Sequence, residues 1–174
     1  MYGPLAGDKY RSLLLYGNRL SPSASIIRKS FLLGNGIVFS ENTNFITVED
    51  YDYWLQLARF NASFKFINSF EGEYLVHGSN SSGFAEVHKR NELNLLRHHV
   101  FNVQKFEENK EKLWTNMLSV ILLRESFQKL KSGSVWLFVY GLLMSLYSSP
   151  YFLSKWILHK LGFFIKIKFL SDKI

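Results

Sequence analysis

The 174 residues suffice for one domain with a real core and fall short of two ordinary ones. Hydrophobic residues make up 47% and aromatics 17%, the composition of a folded chain, and the absence of cysteine excludes disulfide scaffolds, thiolate metal sites and cysteine nucleophiles. Of the formal charge of +7, residues 132–174 carry five lysines against one aspartate and residues 1–131 carry 16 Lys and Arg against 13 Asp and Glu, so more than half of the excess sits in an apolar tail.

A nucleic-acid partner is not expected, since no helix-turn-helix, zinc-finger or RNP-like signature accompanies that charge. The opening MYGPLAGDKYRSLLLYG lacks the basic start, apolar run and small-residue cleavage site of a signal peptide, so export is not expected either. The sequons at Asn61 and Asn80 are chance matches in a chain rich in Asn and Ser.

In chain order, Ala24 to Ile27 reads as a short buried strand after Pro22, followed by a turn or helical step ending at Gly34 to Gly36. Residues 37–46 look like a loop with some extended backbone. From Val48 to Phe60, Tyr51, Trp54, Leu55, Leu57 and Ala58 recur at three- and four-residue spacing and predict a helix. Thr47 with Asp50 three residues on resembles a capping box. ASFKFINS (62–69) and EYLVHGSNSSG (73–83) read as two strands, the second running into a Ser- and Gly-rich loop.

From about Glu86 to Leu130 there is no Pro or Gly, and apolar positions recur at helical spacing, so one long helix or two broken near Asn109 are expected. The tail begins at Ser132. Its apolar core, Val135 to Tyr147, is too short to span a bilayer and is followed by Ser148, Ser149 and Pro150. Lys155, Lys160, Lys166 and Lys168 then interleave with Trp, Phe, Leu and Ile, as in a segment lying in a lipid interface. A spanning segment and a final amphipathic helix on the domain's own core are the alternatives.

The chemistry of interest is the run ITVEDYDYWLQLARF, with Glu49, Asp50 and Asp52 at a helix start. An acid in the first turn sits among unpaired N–H groups at the positive end of the helix dipole and is expected to be held ionised. Acidic residues are also simply favoured there, so the bland reading is a helix end and the sharp one a base. Asp50 and Asp52 stand about 200° apart around a helix and cannot chelate one metal ion together, although they spell D-x-D. Asp52 is expected to be structural and Trp54 to belong to the core. His88, His98, His99 and His159 show no spacing that suggests a metal site.

The order GNRLSPSASIIRKSFL, VEDYDYWLQLA, FKFINSFEGEYLVHGSNSS, then a helical tail containing Ser-Pro, resembles the second half of family 2 glycosyltransferases of the GT-A fold, over roughly residues 12–85. The resemblance implies an α/β fold, a partial GT-A-like domain over 1–85, with a helical extension over 86–131 and a basic, aromatic-rich membrane-interface tail over 132–174. It implies an inverting transfer from a nucleotide-sugar donor to a glycan or lipid-linked acceptor, with Asp50 as general base and Glu49 as a supporting, substrate-orienting residue. His77 falls where the family often has a histidine near the donor diphosphate or its metal ion, though Leu75 stands where it often has Arg.

The family's donor-binding half, with its D-x-D motif for Mg²⁺ or Mn²⁺, has no counterpart before Ser23. The chain is therefore expected to be a fragment, the product of a broken gene, or a subunit paired with a donor-binding half, and to be inactive alone. The resemblance places it on the cytoplasmic face of the membrane, in the assembly of a surface polysaccharide or related glycan. The rival reading is a non-catalytic, membrane-associated interaction protein.

Overall fold

The structure, a computed structural model, describes residues 7–67, 69 and 85–171. Among these residues every regular element is helical, and they fall into two units, 1–104 and 105–174.

In the first unit, α1 (Lys9–Tyr16) begins where the Asp8 side chain accepts from the Arg11 amide at 2.9 Å, and it ends at Gly17, whose φ of 89° suits glycine. A 3₁₀ turn over Pro22–Ala24 leads to α2 (Lys29–Asn35), which stops at Gly36 in the left-handed conformation. A second 3₁₀ turn, Thr43–Phe45, precedes α3 (Glu49–Arg59). The α3 residues Tyr51, Trp54, Leu55 and Ala58 are all buried, as their spacing requires, and α1 packs on this helix. The Tyr51 hydroxyl fixes that packing by donating to the Leu13 carbonyl at 2.8 Å. Finally, α4 (Ala85–His98) packs on the Thr43–Phe45 turn and loosens into a π turn over His99–Val103, in which the Gln104 amide donates to the His99 carbonyl at 2.8 Å.

In the second unit, the Asn109 side chain accepts from the Lys112 amide and starts α5 (Lys110–Lys131). A turn with Gly133 at φ 83° connects it to α6 (Val135–Ser148), which packs along α5. After Ser149 comes α7 (Pro150–Ser171), with Pro150 at the first helical position, where its missing N–H costs nothing. Val120, Leu123 and Leu153 form the core where the three helices meet, with Leu142, Phe152 and Trp156 packed around it.

The expected α/β, GT-A-like domain is therefore corrected to an all-helical one among the described residues. A strand exists only through a neighbour that pairs its backbone, and no described segment supplies one. Pro22 instead opens a 3₁₀ turn ahead of the expected strand, and Ile26, assigned to a buried strand, is 100% exposed. Residues 62–67 carry neither helix nor strand. The expected strand over 73–83 lies outside the described residues, as does His77. Of the alternatives expected from about Glu86 to Leu130, one long helix or two broken near Asn109, the structure has two, separated by the π turn and by residues 104–109.

Candidate functional site

The acidic start of α3 is built by three segments of the first unit. Glu49 and Asp50 occupy the first turn of the helix, and Asn18, just after α1, donates from Nδ2 to Asp50 Oδ2 at 3.3 Å. From the other side α4 holds the approach to the helix. The Asn91 side chain, 1% exposed, donates to the Ile46 carbonyl at 2.8 Å, and His88 Nδ1 lies 3.0 Å from the Thr47 carbonyl.

Between these anchored carbonyls Thr47 has φ 75°, a left-handed conformation that a β-branched residue adopts only under strain. The expected capping box is accordingly absent. Val48 is the N-cap and makes no side-chain cap bond, while Thr47 Oγ1 is buried with no hydrogen-bond partner among the described residues.

Burial moves Asp50 in the direction opposite to the one expected. Desolvation raises its pKa above the ordinary aspartate value, and the neighbouring Glu49 adds to the rise. The Tyr51 amide, the Asn18 side chain and His88 oppose it without cancelling it. The helix terminus does favour the anion, but the half-buried position outweighs it. Asp50 is thus a stronger proton acceptor than an exposed aspartate would be. Beside it, Glu49 Oε2 is buried without a hydrogen-bond partner among the described residues.

Asp52 points elsewhere, as the helical period dictates. It is 6% exposed, and its two oxygens are both engaged: Oδ1 with His99 Nε2 at 3.0 Å, Oδ2 with the Gln56 amide at 2.6 Å. His99, 2% exposed, completes a chain by placing Nδ1 3.0 Å from the Tyr10 hydroxyl. A carboxylate can only accept, so Nε2–H donates to Asp52, and in the neutral ring Nδ1 is left to accept from the Tyr10 O–H. Burial pushes the Tyr10 phenol well above its ordinary range, which keeps that proton in place. The chain Tyr10–His99–Asp52–Gln56 ties α1, α3 and the π turn together. Tyr10, His99 and Asp52 are buried and bonded, and Gln56 is half-buried, so the chain fixes α3.

His99 had no motif to mark it. The available signal was its position three and four residues after Leu96 and Leu95, which puts it on the buried face of α4. Trp54, 2% exposed, is a core residue of α3.

For Mg²⁺ or Mn²⁺ the described residues offer no fit: no group of three His, Asp or Glu side chains converges on one point, and Asp52 is held by His99 and Gln56. Comparison with protein-family models, curated proteins and solved structures finds no match to this chain.

Proposed function

We propose that the chain takes part in sugar transfer from a nucleotide-sugar donor to a glycan or lipid-linked acceptor, with Asp50 as the general base. The proposal rests on local chemistry and not on overall fold. Its carrying observation is a half-buried aspartate in the first turn of α3, raised in proton affinity by desolvation and held by Asn18. The order of short motifs around it, which resembles family 2 glycosyltransferases, supplies the reaction class.

In this reading Asp50 accepts the proton of the acceptor hydroxyl as that oxygen attacks the anomeric carbon. The bond from that carbon to the nucleotide diphosphate breaks on the opposite face, the diphosphate leaves with the electron pair, and the configuration inverts. Glu49 Oε2 accepts a hydrogen bond from a second acceptor hydroxyl. Desolvation suits the task, because a base works best when its pKa approaches the working pH. The donor is bound by a nucleotide-sugar-binding half, in the same protein or in another chain, and no step is assigned to a metal ion.

The test combines the chain with a separately produced donor-binding half of a family 2 glycosyltransferase, labelled nucleotide sugars and membrane lipids. Label reaching an acceptor only when both parts are present supports the proposal. A second reading, a membrane-associated subunit without chemistry of its own, draws on the exposed apolar face of α6. It predicts no chain-dependent transfer in the same assay.

A further inference from the structure

In the second unit α6 sets Gly141 and Ser145 against α5, with Leu142 packed on the core, and leaves most of its large side chains exposed. Gly141 meets α5 so closely that a Cβ there would stand 2.8 Å from the Ser126 Cβ. Four residues on, the Ser145 hydroxyl donates to the Ser119 carbonyl, and Ser149 Oγ donates to Asn116 Oδ1 at 2.7 Å. The hydroxyls of Ser119 and Ser126 return to carbonyls of their own helix at 2.7 Å each, so the seam is polar yet satisfied. Such a seam is the ordinary way for helices to pair where the surrounding medium is itself apolar.

The opposite face supplies the second observation. Trp136, Tyr140, Leu143 and Tyr147, spaced four, three and four residues apart, are 86, 64, 60 and 86% exposed. They form one stripe along α6. On α7 the exposed apolar surface continues with Tyr151 and Leu158, and Lys155 Nζ lies 4.5 Å from the Tyr151 ring centroid.

We propose that this face seats the chain flat in one leaflet of an anionic lipid bilayer, with α6 and the first half of α7 lying in the plane of the headgroup boundary. Three features favour lying over crossing. The 14 residues of α6 reach about 21 Å, short of the roughly 30 Å hydrocarbon core. Both ends of α6 are polar, with Lys129 and Lys131 before it and Ser148 and Ser149 after it, so neither end is suited to depth. At Ser149 the axis turns by 107°, and no single described helix is long and apolar enough to cross a membrane. Trp and Tyr on the stripe are the side chains that settle at headgroup level. The five lysines against one aspartate in residues 132–174 complement anionic headgroups.

The inference stands apart from sugar transfer, since its test needs neither donor nor acceptor. The chain has no cysteine, so a single cysteine introduced at Trp136, Tyr140, Leu143 or Tyr147, all exposed, is the only site for a nitroxide label. Labelled chains are mixed with vesicles of phosphatidylcholine, with or without phosphatidylglycerol, and assayed by flotation and by the accessibility of the label to apolar and polar relaxation agents. The expected result is co-flotation with the phosphatidylglycerol vesicles, weakened by salt, with all four labels at one shallow depth. Lys155→Gln weakens binding about fivefold on anionic vesicles only. Replacing Trp136 and Tyr147 together by serine weakens it about tenfold or more. Labels whose depth changes steadily along α6 overturn the flat placement. Failure to float with either vesicle, or burial of the stripe between two copies of the chain in solution, overturns the membrane itself.

Discussion

Replacing His99 by alanine tests whether the buried chain Tyr10–His99–Asp52–Gln56 holds the first unit together. His99 is 2% exposed and bonded through both ring nitrogens at 3.0 Å, so the substitution removes two hydrogen bonds at once. It takes the His99 partner from Asp52 Oδ1 and from the Tyr10 hydroxyl, both in surroundings that admit almost no water. Losing a hydrogen bond to a buried charged group costs about 1.5–3 kcal/mol and losing a neutral one about 0.5–1.5 kcal/mol. Gln56 still holds Asp52 Oδ2, which places the sum near the lower end, about 2–3 kcal/mol. Hydrogen exchange read on peptides from α1 and α3 isolates the first unit from the second, and protection there is expected to fall by this amount. Tyr10→Phe is the internal control, costing about 1 kcal/mol in the parent and less in the His99→Ala background. A loss below about 1 kcal/mol for His99→Ala, or an unchanged effect of Tyr10→Phe in that background, refutes the reasoning.

Thr47→Gly removes a β-branched residue from φ 75° together with a buried hydroxyl that has no partner among the described residues, and is expected to stabilise the first unit by about 1 kcal/mol in urea unfolding. Gly141→Ala, which in an exposed helix interior gains stability, here forces a methyl against Ser126 at 2.8 Å and is expected to cost about 1–3 kcal/mol in thermal unfolding of the second unit. Asp50→Asn acts through pH. Because burial raises Asp50 in the folded state, that state binds its proton more tightly than the unfolded chain, so stability falls as pH rises from the ordinary aspartate value through the raised one. The variant flattens this slope and is at least as stable as the parent at neutral pH, as thermal midpoints measured across that window will register.

What the sequence disclosed is largely what local physics decides. The apolar spacing of Tyr51, Trp54, Leu55 and Ala58 announces α3, the glycine at position 36 marks the end of α2, and Ser148-Ser149-Pro150 marks the break between α6 and α7. Asn109 stands at the start of α5, where a break was expected. Short runs such as Ala24 to Ile27 fit strand or coil equally, and the decision belongs to a pairing partner that no local pattern reveals. The expectation of an α/β domain failed for that reason. Thr47 matched a capping pattern, but contacts from Asn91 and His88 more than forty residues away shape the backbone there and remove the cap. The separation of Asp50 from Asp52 follows from the helical period alone. The partner of Asp52 did not, because His99 reaches it from 47 residues away through a π turn with no sequence signature. Even the direction of the Asp50 shift required knowing how much protein surrounds it, since the helix terminus and burial act with opposite sign.

Asp50 carries the functional account, and its replacement in the reconstituted transfer assay is the most direct measurement of it. With donor binding measured separately, Asp50→Asn is expected to lower turnover by about 10²- to 10⁴-fold, while donor affinity stays as in the parent. Turnover in the parent is also expected to fall as acid protonates Asp50, with that limb lying above the ordinary aspartate range. Undiminished turnover in Asp50→Asn would contradict the account.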